Sequence, residues 1–270
     1  MADVATSTDG IPISFEAAGS GIRALVFVHG WSCDRTYWHQ QVAAFADAYR
    51  VVTIDLAGHG ASGAGRASWT MPSFGADVVA VADALQLRDI VLIGHSMGGD
   101  VIVEAALSLG DRVAGIVWVD TYHRLTEPET PDQVDAFLTP FRADFVGATR
   151  SLVQHMFPSG SDAGLVEKIA RAMSAAPPHV AFDTLRHAFS NEGPVMAALP
   201  RLHAPVVAIN PDYRPTDEAS LGRYGVEVVI AADVGHFLML EDPKQFNRLL
   251  AGVLARWTST GGSSAGASPT

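Results

Sequence analysis

The stretch Ile90-Val-Leu-Ile-Gly94-His95-Ser96-Met97-Gly98-Gly99, which continues through Val101 to Leu107, decides the fold. It begins as a short apolar run, which is typical of a strand buried on both faces of a parallel sheet. The pattern then becomes helical, with apolar residues at four-residue spacing. Between the two lies the motif G-x-S-x-G, whose glycines allow a sharp turn that presents Ser96 at the N-terminus of a helix. The stretch predicts a nucleophilic serine, and the alternative is that Ser96 only caps its helix.

Similar short apolar runs recur along the chain and alternate with helical patterns of 10–15 residues. We predict further buried strands at 24–28, 50–54, 113–119, 205–209 and 226–230, and an edge strand at 11–17. This alternation is typical of βαβ units and right-handed crossovers. The fold class is therefore α/β, with a mostly parallel central sheet and helices on both faces.

The alternation stops at Tyr122, and helical patterns without a convincing strand follow until about Pro200. We expect helices at 134–146, 149–157, 165–173 and 180–189. The segment 121–200 is predicted to be a helical cap over Ser96, inserted between a first core part at 1–120 and a second at 201–257. Most of its large apolar side chains should form the cap's own core, and a few should line an apolar substrate pocket. Residues 258–270, rich in Gly, Ser and Thr, are expected to be a disordered tail.

Composition excludes several classes of partner. The chain has 270 residues, a formal net charge of −11 and only two lysines, which argues against nucleic acid or an anionic membrane as partner. No segment approaches the ~20 apolar residues of a membrane span, and no secretory signal pattern is visible. The single cysteine, Cys33, cannot form an intrachain disulfide, and we expect it to be a small buried residue. We expect a cytoplasmic protein, and the oligomeric state stays open.

A serine hydroxyl needs a base to remove its proton and an acid to orient that base. Of ten histidines, only His236 lies in a loop directly after the last predicted strand, and it is the candidate base. His29, His59 and His95 stand beside motif glycines, where we expect them to hold loops in place.

Three aspartates are candidates for the orienting acid. Asp212 follows the penultimate predicted strand and precedes His236 by 24 residues, so we favour it. Asp120, at the end of an earlier strand, is the rival, and Asp217 is a more distant third. Many carboxylates at the start of loops are only turn or cap residues.

Taken together, these motifs resemble the α/β-hydrolase fold superfamily, and specifically its serine esterase and lactonase members with a helical cap. The resemblance spans about residues 10–120 and 200–257 and rests on Gly94-His-Ser-Met-Gly98, His29-Gly30-Trp31, the stretch 55–62, the strand before Asp212, and Gly235-His236. It implies that the backbone N–H groups of Trp31 and Met97 form an oxyanion hole. It also implies a catalytic triad of Ser96, Asp212 and His236, with Asp120 as the alternative acid.

We expect no cofactor and no metal. The stretch 58–63 formally matches the dinucleotide pattern G-x-G-x-x-G, but a loop without a suitable acidic residue follows it, not a helix. No spaced cluster of His, Cys and Asp resembles a zinc site. The sequence favours a serine hydrolase that cleaves a small, largely apolar carboxylic ester or lactone through an acyl-enzyme on Ser96. The alternatives are a C–C bond hydrolase or cofactor-free perhydrolase of the same fold, or a non-catalytic ligand receptor.

Overall fold

A central β-sheet organises the computed structural model, which describes residues 2–258. Within these residues the sheet has eight strands in the order β1-β2-β4-β3-β5-β6-β7-β8. The pairs β1–β2 and β2–β4 are antiparallel, and the other pairs are parallel. The strands are β1 (Asp3–Thr6), β2 (Pro12–Ala18), β3 (Ala24–Val28), β4 (Arg50–Ile54), β5 (Ile90–His95), β6 (Val113–Val119), β7 (Val206–Pro211) and β8 (Val226–Ala231).

The middle of the sheet is buried, as its apolar sequences require. Every residue of β3 and of β5 is buried, which is the pattern of strands covered on both faces. The helices that accompany the strands pack as two pairs on the sheet, α1 with α11 and α2 with α3. These helices are α1 (His39–Phe45), α2 (Met71–Ala84), α3 (Met97–Leu109) and α11 (Pro243–Thr258). The predicted α/β fold class is confirmed.

Five helices of the described chain lie between β6 and β7, within the segment 121–200 that the sequence assigns to the cap. They are α4 (Pro131–Ala143), α5 (Phe145–His155), α6 (Ala163–Ser174), α7 (Pro178–Phe189) and α8 (Glu192–Ala198). Side chains of Thr130, Asp144 and Asp162 cap the first three, which satisfies backbone N–H groups that have no partner inside the helix. The Trp31 indole donates to the carbonyl of Ala181 in α7 (2.7 Å), so the cap is tied to the loop after β3.

Several short elements go beyond the predicted set. Strand β1 and helix α8 were not predicted, and neither were α9 (Glu218–Gly222) and α10 (Leu238–Glu241). Each is too short to show a clear hydrophobic period. The predicted tail lies outside the described residues, except that Thr258 is the last residue of α11. Cys33 is buried, as expected.

Candidate active site

Ser96 stands on a strained turn between β5 and α3. Its φ is +52° and its ψ −124°, a conformation that a residue with a side chain rarely adopts. The glycines on either side are required by close backbone contacts. A Cβ on Gly94 would lie 2.3 Å from the Gly98 carbonyl oxygen, and a Cβ on Gly98 would lie 2.6 Å from the Val28 carbonyl oxygen. The turn therefore holds the Ser96 side chain away from the sheet, as the G-x-S-x-G motif predicts.

A cavity of about 710 Å³ opens above this turn. Ser96, His236 and Asp120 all line it. Most of its remaining wall is apolar, and the cap supplies much of that wall. The apolar cap residues at the cavity include Phe137, Leu152, Met156, Met173, Leu185 and Phe189. Its size and lining are those of a small-molecule site.

His236 is buried and lines the same cavity as Ser96, and hydrogen bonds of its own backbone and of its two neighbours fix its position. Its N–H donates to the carbonyl of Met156 (2.8 Å), and its own carbonyl oxygen accepts from the ring of His95 (2.9 Å). The carboxylate of Glu241 accepts the N–H groups of Gly235 and Phe237 on either side of it. Among residues 2–258 no hydrogen bond joins the Ser96 hydroxyl to the His236 ring. Such catalytic contacts are often long until substrate fills the site.

Asp120 is the acid that contacts His236. The Nδ1–H of His236 donates to Asp120 Oδ2 at 2.5 Å, and Asp120 is fully buried at the end of β6. Burial by itself disfavours the carboxylate, but the neighbouring His236 and hydrogen bonds from His123 and His236 outweigh it. The guanidinium of Arg214, 3.6 Å away, adds to this effect. The pKa of Asp120 therefore lies below its ordinary value, and the group is ionised over the whole physiological range.

The predicted pairing of Asp212 with His236 is wrong. Asp212 is exposed, and its carboxylate accepts the N–H of Asp233 (2.9 Å) at the turn after β8. Its own N–H donates to the Ala231 carbonyl, so its backbone continues the pairing of β7 with β8. Among residues 2–258 its carboxylate makes no hydrogen bond to His236. Asp217, the third candidate, caps helix α9 by accepting the N–H of Ser220.

His123 completes the surroundings of Asp120 and was not predicted to do so. Its Nε2 contacts Asp120 Oδ1, while its Nδ1 lies 2.9 Å from the hydroxyl of Thr216. Because Asp120 is ionised, the Nε2 of His123 that contacts it carries a proton and donates it to the carboxylate. In the neutral ring, Nδ1 is then an acceptor for the Thr216 hydroxyl, whose oxygen accepts from the amide of Asn210 (3.3 Å). The sequence feature that could have identified His123 is its position three residues after Asp120, in the same loop.

The residues expected to form an oxyanion hole also line the cavity. Met97 is the first residue of α3, where backbone N–H groups lack partners within the helix. Trp31 follows Gly30, whose Cβ, if it had one, would lie 3.2 Å from the Ser96 Cβ. The loop after β3 therefore passes directly beside the serine, and only glycine fits at that point.

The three histidines beside motif glycines hold loops, as predicted. His29 Nε2 accepts the N–H of Leu56 (3.1 Å), and His59 Nδ1 contacts the carbonyl of Ala57 (3.0 Å). His95 contacts the His236 carbonyl, as described above. Burial lowers the pKa of His29 to about 4, and burial together with neighbouring His29 lowers that of His59 to about 3. These rings are neutral hydrogen-bonding groups.

In the part of the chain that the structure describes, no group of His, Cys, Asp and Glu could hold a metal ion. Likewise, no helix within residues 2–258 combines the length and apolar character needed to cross a membrane.

The parallel sheet, the serine turn and the His236–Asp120 pair define an α/β-hydrolase. A profile of the Alpha/beta hydrolase family matches residues 25–249, and the chain belongs to this family. It is 24% identical to 3-oxoadipate enol-lactonase 2 of Acinetobacter baylyi, over 94% of this chain and 97% of that protein. It is 36% identical over 116 residues to a non-heme haloperoxidase of Rhodococcus erythropolis, covering 42% of each chain.

A solved structure with the same fold matches almost the whole length of this chain. Est816, described as an N-acyl homoserine lactone degrading enzyme, is 26% identical with a TM-score of 0.79, over 93% of this chain and 99% of that one. By contrast, the chain spans only 28% to 43% of the length of several other curated relatives that it matches.

Proposed function

We propose that this protein is a serine hydrolase that cleaves a carboxylic ester or lactone of a small, largely apolar molecule. The observation that carries the proposal is the His236–Asp120 pair in the cavity that Ser96 enters on its strained turn. With the Nδ1 proton donated to Asp120, the Nε2 of His236 is unprotonated when the ring is neutral. It can therefore accept the proton of Ser96.

The reaction would proceed in two steps. Ser96 Oγ attacks the carbonyl carbon while His236 takes its proton, and the Trp31 and Met97 N–H groups bind the developing oxyanion. The C–O bond to the leaving alcohol then breaks, and His236 returns the proton to that oxygen. In the second step water attacks the acyl-enzyme, His236 takes a proton from it, and the carboxylic acid leaves as Ser96 regains its hydrogen. Asp120 stabilises the imidazolium in both steps and does not itself take the proton.

The cavity wall supports an uncharged substrate. Its wall is mostly apolar, with side chains from both the segment 121–200 and the core, and the relatives named above include an enol-lactonase and a lactone-degrading enzyme. A haloperoxidase relative keeps a second activity open: peroxide could attack the same acyl-enzyme in place of water and release a peracid. That alternative needs no residue beyond those of the hydrolytic route.

Covalent labelling and ester turnover test the proposal together. The wild type should react with a fluorophosphonate probe and release acid from p-nitrophenyl butyrate. Ser96→Ala should lose both while its circular dichroism stays unchanged. Ser108→Ala, on the exposed side of α3, is the matched control and should keep both. Unchanged turnover in the Ser96 variant refutes the assignment, and specific ligand binding by an unreactive wild type would favour the receptor alternative. Hydrogen peroxide added with acetate and a halide would reveal perhydrolysis.

A further inference from the structure

A second buried carboxyl group, Asp100, lines the same cavity. It lies in the first turn of α3, four residues after Ser96, and is only 5% exposed. Residues four apart lie on the same face of a helix, separated by roughly 6 Å along its axis. Asp100 is therefore about one helical turn from the serine, inside the substrate cavity, and the hydrolytic steps above do not use it.

The two oxygens of Asp100 have different surroundings. Oδ1 accepts hydrogen bonds from the Tyr122 hydroxyl (2.5 Å) and from Asn191 Nδ2 (3.1 Å). Oδ2 has no hydrogen-bond partner among residues 2–258 and is not among the described polar atoms that are buried without a partner, so it is the accessible oxygen of this cavity-lining residue. Tyr122 and Asn191 therefore hold the carboxyl group by Oδ1 and leave Oδ2 as the free acceptor.

No cation balances Asp100 within the described residues. Its two partners are neutral, and the nearby charged groups Glu104, on α3, and Glu192, on α8, are both acidic. Burial raises the pKa of Asp100 to about 7, and the two glutamates add to the effect. A hydrogen bond to a charged group is stronger than one to a neutral group, and the largely buried position of Asp100 strengthens it further. A donor that reaches Oδ2 from the substrate would therefore gain more here than at an exposed carboxylate.

We propose that Asp100 determines substrate specificity by accepting, through Oδ2, a hydrogen bond from an amide N–H of the substrate. The amide lies about one helical turn from the reacting carbonyl, in the acyl or the alcohol part. This inference rests on the proposed hydrolysis at Ser96. An amide N–H fits because it is a single donor without a lone pair of its own. A hydroxyl oxygen can donate or accept, so it is not selected by an acceptor alone, and an ammonium group would bring three donors to one free oxygen.

Two matched pairs of esters, compared by pH-stat at pH 8.5, isolate the single N–H. In the first pair, ethyl N-acetyl-β-alaninate carries the N–H in the acyl part, and ethyl 5-oxohexanoate has CH₂ in its place. In the second, 2-acetamidoethyl acetate carries it in the alcohol part, and 4-oxopentyl acetate lacks it. We expect the wild type to favour the amide member of at least one pair by about tenfold or more in kcat/KM.

Asp100→Asn is the decisive variant because it is almost isosteric. Asn191 Nδ2 can only donate and Tyr122 donates to the same oxygen, so the amide oxygen of the new side chain takes the Oδ1 position. Its NH₂ then faces the cavity, where it would oppose a substrate N–H. The amide preference should fall to parity or reverse, and this ratio is independent of any general loss of activity. Glu104→Gln, which removes a neighbouring charge from the same helix, should keep the preference.

Each outcome decides the proposal. Equal kcat/KM values within both pairs for the wild type, or a preference that survives Asp100→Asn, would overturn it. It would also fail if a wild type active on p-nitrophenyl acetate hydrolysed no member of either pair. If instead the wild type does not hydrolyse p-nitrophenyl acetate at all, the hydrolase assignment at Ser96 is refuted.

Discussion

Asp120→Asn changes one atom of a carboxylate that two imidazole rings share. In the wild type, His236 donates to Oδ2 and His123 contacts Oδ1. An asparagine offers one acceptor oxygen and one NH₂ group, so it can accept from only one of the two rings. The other ring must change its tautomer or turn away.

The hydrogen bonds of His123 decide which ring is disturbed. Its Nε2 donates to the ionised Asp120 in the wild type, with Nδ1 facing the Thr216 hydroxyl, and with this arrangement kept it needs the acceptor oxygen of the asparagine. The NH₂ group of the new side chain then faces His236 Nδ1. The His236 ring would have to place its proton on Nε2, where it can no longer receive the proton of Ser96. Loss of the correct tautomer and of the buried counter-charge costs about 10⁴ in kcat in triads of this kind. This corresponds to about 5.5 kcal/mol of activation free energy.

The assay compares kcat for p-nitrophenyl butyrate in Asp120→Asn and Asp212→Asn, with thermal unfolding as the check on folding. Asp212 is exposed and its carboxylate caps a turn, so its variant should keep kcat within about threefold of the wild type. A large loss in the Asp212 variant, together with near-normal kcat in the Asp120 variant, would refute the geometric reasoning and restore the acid favoured by the sequence.

Three further changes test neighbouring parts of the structure. His123→Gln removes a positioning group that contacts Asp120, so kcat should fall about tenfold while KM stays within about twofold, as measured by steady-state kinetics. Arg66→Met leaves the buried Asp77 without its ion-pair partner, and the free energy of unfolding in urea should fall by about 3 kcal/mol. Asp100 has a pKa of about 7 in the folded protein, against 3.8 for an ordinary aspartate. Its contribution to stability is therefore full below pH 3.8 and is lost as the pH rises through 7. Between pH 4 and pH 8 the wild type should lose up to about 4 kcal/mol relative to Asp100→Asn, and parallel pH curves would contradict this.

The strands that the sequence predicts best are almost wholly buried and have polar residues at their ends. The predicted strands 24–28, 50–54 and 113–119 agree with β3, β4 and β6 to the residue. Their apolar runs are bounded by polar or turn-forming residues, so the pattern has clear ends. Strand β1 shows the opposite case, because only one of its four residues is buried. Its edge position is set by backbone pairing with β2, and its own side chains give no hydrophobic signal.

The site was predicted unevenly for a related reason. Ser96 and His236 follow from their places at strand ends, because a parallel sheet brings the carboxyl ends of its strands to one edge. The same rule applies equally to Asp120 and Asp212, which follow the neighbouring strands β6 and β7. The choice between them depends on where β7 stops. It runs on through Pro211, and the next backbone N–H still pairs with the Ala231 carbonyl. An extension of one or two residues is below the precision of a sequence pattern.

The end of β7 nevertheless contributes to the site, through a neutral residue in place of an acid. Asn210 is fully buried, and its amide donates to the Tyr122 carbonyl (2.9 Å) and to the Thr216 hydroxyl. Both amide protons are then used, and the Thr216 hydroxyl proton is available to His123 Nδ1 when the Nε2 proton of that ring is donated to Asp120. A carboxylate at position 210 would have no proton to donate and would compete with His123 for the Thr216 hydroxyl proton. The acid on β6 and the amide on β7 are therefore parts of one arrangement, in which Asn210 leaves the Thr216 proton to the ring that donates to Asp120.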